Sequence, residues 1–190
     1  MEQNVRIAVF ASGSGSNFAA LEAACKAGEL PADIVLLVTD KPDAYVNERA
    51  KQAGVPVASF RPREFATKQA YEQAVLETLQ EAKVEWLILA GYMRLIGPDL
   101  LNAYPERIIN IHPSLLPSFP GKDAIGQAVA KGVKVTGVTV HLVDEGMDTG
   151  PILAQRAVDV IDNDVEQTAT AIHAVEHDLY VETLKNVFKN

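Results

Sequence analysis

The stretch Arg6-Ile7-Ala8-Val9-Phe10, which leads directly into Ala11-Ser12-Gly13-Ser14-Gly15-Ser16-Asn17, indicates the class of fold. An apolar run is followed by a loop of serines and glycines. After the loop, apolar residues recur at helical spacing from Phe18 to Cys25, and Gly28 ends the pattern. The stretch therefore predicts a strand, a tight loop and a helix, which is the repeating unit of an α/β sheet.

The same unit recurs along the first part of the chain. Further strands are predicted at residues 33–39, 55–60, 86–90 and 107–111, with helices at about 45–53, 64–83 and 98–103. Strands that are apolar without interruption and alternate with helices are typical of a parallel sheet covered on both faces. We therefore predict a single-domain α/β fold, Rossmann-like, with a mostly parallel twisted sheet and helices on both faces.

The pattern changes after Pro120-Gly121. A helix is predicted at about 123–130, and residues 134–144 then alternate, with Val138 and Val140 on one face and His141 on the other. A turn-rich link leads to another strand at 152–160, so these two strands are expected to pair antiparallel near the C-terminal end of the sheet. The last helix is expected to begin at Asp164, in capping-box spacing with Gln167, and to end at about Phe188.

Composition narrows the class of protein. The chain has 190 residues, of which 48% are hydrophobic and 22% charged, as in a globular domain, and no apolar run is long enough to span a membrane. A net charge of −8 without a Lys or Arg cluster argues against nucleic acid as a partner. The first residues lack a secretory signal, so a cytoplasmic protein is expected. The single cysteine, Cys25, is expected to be a structural thiol.

The loop from Ser12 to Asn17 is a candidate phosphate site. It follows a strand and opens a helix, where glycines let the backbone approach a phosphate and the helix N-terminus favours an anion. A dinucleotide fingerprint needs glycine where Phe18 stands, and a P-loop needs Lys-Ser/Thr where Ser16-Asn17 stand. The loop thus favours a simple phosphomonoester over NAD or ATP, and a tight turn alone is the alternative. Asp40, after the second strand, is interpreted as a cap or turn residue rather than a ribose ligand.

Asn110 and His112 end the fifth predicted strand. A carboxamide can donate to a developing oxyanion, and an imidazole can carry a proton near neutral pH. Alone, both side chains are interpreted as partners of backbone groups in a Pro-rich loop. Ligands of parallel sheets, however, bind outside the carboxyl ends of the strands, where the phosphate loop and Gly91–Arg94 also lie. Asp148, in the link after the next strand, is expected to support the protonated imidazole, so the sequence predicts an acyl-transfer site.

The segment His173-Ala174-Val175-Glu176-His177 fits the H-x-x-E-H pattern of inverted zinc proteases. A zinc site needs a third protein ligand, and only 13 residues follow His177. We therefore favour the alternative that His173, Glu176, His177 and Tyr180 form a polar stripe facing the cleft or the solvent. In that arrangement, Glu176 can hold an amine or the hydroxyls of a substrate.

Four segments of the chain together resemble the phosphoribosylglycinamide formyltransferase family of purine biosynthesis. They are Ser12–Asn17, Leu89-Ala90-Gly91-Tyr92-Met93-Arg94-Leu95-Ile96, Asn110-Ile111-His112-Pro113-Ser114-Leu115-Leu116-Pro117 and His141-Leu142-Val143-Asp144-Glu145-Gly146-Met147-Asp148-Thr149-Gly150-Pro151. The resemblance implies transfer of a formyl group from the co-substrate 10-formyltetrahydrofolate to the amine of glycinamide ribonucleotide, without a metal. The assembly is expected to be a monomer or a homodimer.

The same resemblance implies the roles of individual residues. The catalytic residues are Asn110, His112 and Asp148, and Asn110 also touches the formyl oxygen of the folate. The substrate phosphate is held by Gly15, Ser16 and Asn17, and another part of glycinamide ribonucleotide by Glu176. The folate contacts are Lys68, Met93, Arg94, Leu95 and Ile96. A phosphate-binding half is thus expected over about residues 1–105, and a catalytic and folate-site half over about 106–190.

One segment departs from that family, and other functions stay open. Many relatives carry a histidine in the loop after the Pro-Gly, where this chain has Lys122-Asp123-Ala124-Ile125. Formyltransferases that act on methionyl-tRNA or nucleotide sugars, and a hydrolase of formyltetrahydrofolate, are related alternatives, although the length of the chain favours neither the tRNA enzyme nor the hydrolase. A non-catalytic nucleotide- or folate-binding module would have no need to keep Asn110, His112 and Asp148 together.

Overall fold

The structure is a computed structural model and describes residues 3–189. Its strands are β1 (Val5–Phe10), β2 (Ala32–Thr39), β3 (Val57–Ser59), β4 (Trp86–Leu89), β5 (Ile108–His112), β6 (Val135–Leu142) and β7 (Ile152–Asp159). Its α-helices are α1 (Ser16–Lys26), α2 (Val46–Ala53), α3 (Lys68–Glu81), α4 (Pro98–Ala103), α5 (Ala124–Lys131) and α6 (Val165–Phe188). Within the described residues, no helix has both the length and the apolar composition needed to cross a membrane.

The seven strands found within residues 3–189 form one sheet in the order β3-β2-β1-β4-β5-β6-β7. The first five strands run parallel to one another, whereas β6 is antiparallel to both β5 and β7. The predicted α/β fold with an antiparallel C-terminal strand pair is confirmed. The pairing of β6 with β5 was not predicted, and it aligns Asn110 with His141 and His112 with Thr139.

Two apolar layers cover the two faces of the sheet, as the alternation along β1 requires. Ile7 and Val9 pack on one side with residues of α1, α2 and α6, and Ala8 and Phe10 pack on the other side with residues of α3 and α4. The helices on both faces confirm the interpretation of the uninterrupted apolar strands. Packing on both faces holds the carboxyl ends of β1, β4 and β5 at one edge of the sheet.

The boundaries of β3 and α3 differ from the predicted ones. The strand is limited to Val57–Ser59, and a 3₁₀ turn, Pro62–Glu64, occupies the point where the helix was predicted to begin. Thr67 has an extended backbone, and its hydroxyl accepts a hydrogen bond from the Ala70 N–H at 3.0 Å. Because such a residue caps a helix rather than continuing it, α3 begins at Lys68.

Tyr180 ties the last helix to the centre of the sheet. Its hydroxyl donates to the carbonyl oxygen of Leu89 at 2.7 Å and lies 3.2 Å from that of Ile109, so it bridges β4 and β5. The side chain is fully buried, and burial raises its pKa well above the ordinary value of 10.0, which keeps the hydroxyl protonated as a donor. At the start of α6, the Asp164 carboxylate accepts from the Gln167 N–H at 2.9 Å, as predicted.

We expect Tyr180→Phe to lower the free energy of unfolding by about 1–2 kcal/mol, because the carbonyl oxygen of Leu89 loses its buried hydroxyl donor while the aromatic ring is kept. Tyr45→Phe is the matched control, since Tyr45 is 55% exposed and its replacement is expected to change stability by less than about 0.5 kcal/mol. Urea unfolding followed by circular dichroism measures both values. Equal unfolding midpoints for the two variants would contradict the bridging role.

Candidate active site

A cavity of about 560 Å³ opens at the carboxyl ends of β1, β4 and β5. Its wall includes residues 13–17 after β1, 89–96 after β4 and 110–113 at the end of β5, together with residues of the loops after β5 and β6 and of α6. The volume lies in the range of small-molecule sites, and the position is the one expected for a ligand of a parallel sheet. Every predicted site residue except Lys68 contributes to this wall.

His112 is buried at the floor of the cavity with oxygen acceptors near both ring nitrogens. Its Nε2 lies 2.9 Å from the carbonyl oxygen of Phe119, and its Nδ1 lies 3.6 Å from Oδ2 of Asp148. A carbonyl oxygen only accepts hydrogen bonds, so Nε2 carries a hydrogen and the ring orientation is fixed. The Nδ1 atom is beyond hydrogen-bond length from the carboxylate and is therefore available to a ligand or to a water molecule.

Asp148 reaches the histidine because the link after β6 folds back sharply. Its Oδ2 accepts from the Gly121 N–H at 2.8 Å, and its backbone adopts a left-handed conformation with φ 56°. At Gly150 a Cβ atom would collide with the carbonyl oxygen of Leu142, so only glycine permits this close approach. The predicted return of Asp148 to the edge of the sheet therefore depends on backbone contacts.

Asp144 holds the turn that presents Asp148. Its Oδ1 accepts from the Thr149 hydroxyl at 2.6 Å and from the Gly146 N–H at 3.0 Å. The hydrogen bond from Thr149 is the main reason why the pKa of Asp144 lies below its ordinary value of 3.8. The ionised carboxylate thus keeps the segment from Asp144 to Thr149 in a fixed turn at neutral pH.

His141 is a further residue of the site for which the sequence provided no assigned role. It is 2% exposed, and its Nδ1 lies 2.9 Å from the carbonyl oxygen of Leu142. Because that carbonyl only accepts, Nδ1 carries a hydrogen, and the lone pair of Nε2 can accept from Nδ2 of Asn110 at 3.3 Å. The same Nε2 lies 3.9 Å from Oδ1 of Asp148. The alternation in β6 placed His141 on a polar face, but only the register with β5 places it beside Asn110.

The phosphate loop presents the start of α1 to the cavity. Gly15 is the N-cap of the helix, with φ 78° and no side-chain acceptor, so the backbone N–H groups of the first turn remain available to an anion. A Cβ atom at Gly15 would collide with the side chain of Val46. Both Ser16 and Asn17 lie in the cavity wall. The loop therefore leaves free N–H groups at the start of α1, the feature on which the predicted phosphate site depends.

Glu176 connects α6 to the phosphate loop inside the cavity. It is 5% exposed, and its Oε2 accepts from Nδ2 of Asn17 at 3.0 Å and lies 3.3 Å from Nδ1 of His173. The hydrogen bond to Glu176 outweighs the effect of burial and raises the pKa of His173 above 6.5. The buried Oδ1 of Asn17 has no hydrogen-bond partner among residues 3–189, so it is an acceptor available to a ligand.

The favoured polar stripe on α6 is found only in part, because its residues have different surroundings. His173 and Glu176 line the cavity, whereas Tyr180 bridges β4 and β5. The Nε2 of His177 is buried without a hydrogen-bond partner in the described part of the chain. Over that same part, no three His, Cys, Asp or Glu side chains form a group that could hold a metal ion.

The predicted folate segment, Met93–Ile96, forms an apolar wall of the cavity. Met93 and Leu95 are 60% and 43% exposed, which is unusual for large apolar side chains next to a cleft and indicates a ligand surface. The guanidinium group of Arg94 lies over the ring of Tyr71, 5.2 Å from its centre. Lys68, the first residue of α3, is exposed and lies outside the wall of the cavity.

Comparison with known proteins identifies the family. The model of the formyl transferase family matches residues 5–184. This chain belongs to the formyl transferase family. Among curated proteins, it is 52% identical over 183 residues to the phosphoribosylglycinamide formyltransferase of Bacillus subtilis, and the match covers 96% of this chain and 94% of the relative. A chloroplastic phosphoribosylglycinamide formyltransferase of Vigna unguiculata is 41% identical, with 95% of this chain and 60% of the relative covered.

Solved structures agree with this assignment. Glycinamide ribonucleotide transformylase 1 from Geobacillus kaustophilus superposes with a TM-score of 0.94 at 55% identity, covering 97% of this chain and 98% of that one. Phosphoribosylglycinamide formyltransferase from Bacillus halodurans gives a TM-score of 0.93, also at 55% identity, covering 96% and 94%. The family predicted from the four sequence segments is confirmed.

In this formyl transferase, the loop from Gly121 to Ile125 lines the cavity and supports Asp148 through a backbone group. Gly121 donates its N–H to Asp148, and Asp123 caps α5 by accepting from the Gly126 N–H at 3.2 Å. The side chain of Gln127 donates to the carbonyl oxygens of Pro120 and Lys122 at 3.0 and 2.7 Å. Asp148 is thus held by a backbone group of the loop, and the side chains of Asp123 and Gln127 fix the loop that presents it.

We expect the imidazole of His173 to titrate with a midpoint above 6.5, and Glu176→Gln to lower that midpoint, because the carboxylate stabilises the protonated ring. Since the pKa is raised in the folded state, the His173–Glu176 pair stabilises the fold below pH 6.5 and loses this contribution as the pH rises through the raised pKa. Histidine NMR titrations of the two proteins measure the effect. An unchanged midpoint in the variant would contradict it.

Proposed function

We propose that this formyl transferase transfers the formyl group of 10-formyltetrahydrofolate to the amine of glycinamide ribonucleotide. The products are N-formylglycinamide ribonucleotide and tetrahydrofolate, in de novo purine biosynthesis. The observation that carries the proposal is the position of Asn110, His112 and Asp148 on the floor of one cavity, between a phosphate loop and an apolar wall. The names of the relatives support the same reaction.

Glycinamide ribonucleotide fits the side of the cavity formed by α1 and α6. Its phosphate is held by the backbone N–H groups and side chains at Gly15, Ser16 and Asn17, where the positive end of the helix favours a dianion. Glu176, which already holds Asn17 and His173, accepts hydrogen bonds from the hydroxyls or the amine of the substrate. This arrangement directs the reactive amine toward Asn110.

The folate fits the side formed by the segment Met93–Ile96. The exposed apolar side chains of Met93 and Leu95 cover its ring system, and Asn110 touches the formyl oxygen. The positively charged side chains of Arg94 and Lys68 bind the negatively charged end of the folate. Lys68 lies outside the cavity wall but begins α3. Tyr71 of the same helix contacts both Arg94 and Tyr92, so Lys68 is on the helix next to the folate segment and can bind the charged end of the folate where it leaves the cavity.

The reaction then follows from the placement of charge. The lone pair of the neutral amine attacks the formyl carbon, and the electrons of the C=O bond move to its oxygen. Nδ2 of Asn110 and the protonated imidazole of His112 stabilise this oxyanion, and Asp148 supports the charge on the imidazole. The bond from carbon to N10 of the folate breaks, while a proton passes from the attacking amine to N10 beside the His112–Asp148 pair.

In the proposed function, the enzyme is a cytoplasmic monomer or homodimer and uses no metal. Its partners are two small anionic molecules. The net charge of −8 is compatible with them, because the anions are bound by local groups such as the start of α1 and Arg94 rather than by the overall field of the protein.

The first test is to mix the protein with 10-formyltetrahydrofolate and follow the absorbance of the folate with and without glycinamide ribonucleotide. We expect turnover only when both substrates are present, because the amine of glycinamide ribonucleotide is the group that receives the formyl group in the proposed reaction. Formyl loss that is independent of glycinamide ribonucleotide would instead indicate the hydrolase. Binding of either compound without turnover would indicate a non-catalytic module.

We expect His112→Ala and Asp148→Asn each to lower kcat by about 10² or more, the usual contribution of a positioned acid or oxyanion donor. His177→Gln is the control, because His177 is a histidine outside the wall of the cavity. Steady-state kinetics with both substrates measure the three variants. Rates like that of the wild type in either of the first two would contradict the roles proposed for these residues.

A further inference from the structure

The hydroxyl group of Ser12 joins two loops that belong to different substrate sites. It donates to Oδ1 of Asp40 at 2.6 Å and accepts from the N–H of Met93 at 2.9 Å. The N–H of Ser12 donates to the carbonyl oxygen of Gly91 at 3.1 Å. Ser12 is 4% exposed and Asp40 is 8% exposed, so water does not compete freely for these hydrogen bonds.

Asp40 determines which way the hydroxyl points. A hydroxyl has one hydrogen to donate, and the carboxylate takes it in a short, charge-assisted bond. The lone pairs of the Ser12 oxygen are then directed to the N–H of Met93. The sequence interpretation of Asp40 as a simple cap or turn residue is therefore incomplete, because its carboxylate orients a group shared by two loops.

The two loops are otherwise held by different parts of the fold. The folate segment is also anchored from α3, through the hydroxyl pair of Tyr71 and Tyr92 at 2.6 Å and through Glu72, whose carboxylate accepts from the Gly97 N–H at 2.8 Å. Those anchors fix the segment to the outer helix. Ser12, in the phosphate loop, provides a separate anchor for the folate segment.

We propose that Ser12, oriented by Asp40, is a positioning residue that couples the phosphate loop to the folate segment. The inference rests on the proposed function. A phosphate bound at Gly15 to Asn17 restricts the loop, and the restricted loop keeps the Ser12 oxygen against the N–H of Met93. The wall formed by Met93 to Ile96 then stays in the shape that receives the folate, so each substrate improves the binding of the other, as linkage requires.

Hydrogen exchange tests this coupling without turnover. Glycinamide ribonucleotide alone is expected to slow amide exchange in residues 12–17 and, through Ser12, about tenfold in residues 91–97 of the wild type, within the usual range of coupling between sites. In Ser12→Ala, which keeps the backbone bond to Gly91 but loses the bond to Met93, most of the protection of 91–97 by the ligand is expected to be lost while that of 12–17 remains. Asp40→Asn, which can still accept from the hydroxyl, is expected to keep part of the effect that Asp40→Ala loses.

Thr183→Val is the matched control. Thr183 also has a buried hydroxyl, which donates to the carbonyl oxygen of Leu179 at 2.7 Å, but it lies on α6 outside the wall of the cavity. Its replacement removes a buried hydrogen bond, and so reproduces any loss of stability, but should leave the protection of 91–97 by the ligand unchanged. Protection that persists in Ser12→Ala, or that disappears equally in Thr183→Val, would overturn the inference.

Kinetics provide the second measurement. In the wild type, the KM for 10-formyltetrahydrofolate is expected to fall about fivefold or more between low and saturating glycinamide ribonucleotide, and in Ser12→Ala to stay nearly constant. Turnover by a wild type whose KM for the folate does not change would overturn this inference alone. Absence of both turnover and protection of residues 12–17 would overturn the proposed function, and this inference with it.

Discussion

The antiparallel pairing of β5 with β6 is the constraint on which the site depends. Residues opposite each other in such a pair point to the same face of the sheet, as do residues two apart on one strand. Asn110, His112 and His141 therefore share one face at the end of the sheet, with Asn110 aligned with His141. A shift of the register by one residue would turn one strand over and separate these polar groups onto opposite faces of the sheet.

Backbone groups orient the side chains that the strand register brings together. The carbonyl oxygens of Phe119 and Leu142 orient the two histidines, and the N–H of Gly121 orients Asp148. Groups held in this way need little reorganisation when charge develops on a substrate, and partial burial strengthens their electrostatic effect. The cluster is thus held in the geometry that the proposed reaction, which passes through an oxyanion, requires.

Much of the fold was accessible from local patterns. Apolar runs such as Ile7–Phe10 are long enough to indicate buried strands, and Asp164 with Gln167 marked the start of α6 correctly. The start of α3 was predicted too early, because the periodicity of the helix extends into a segment where Pro62 begins a 3₁₀ turn and Thr67 adopts an extended backbone. Whether the helix begins at this point depends on the backbone conformation of Thr67, and the spacing of apolar residues gives no information about that conformation.

By itself, the sequence determined the α/β architecture and placed the candidate residues Asn110, His112 and Asp148 and the loop from Ser12 to Asn17 at strand ends and turns, because strand ends and glycine loops are local features. Tertiary structure alone decided that His141 faces Asn110 and that Ser12 joins Asp40 to Met93. These contacts connect residues 31, 28 and 81 positions apart. Their formation depends on strand register and on the approach of separate loops, which are properties of the packed sheet rather than of any single segment.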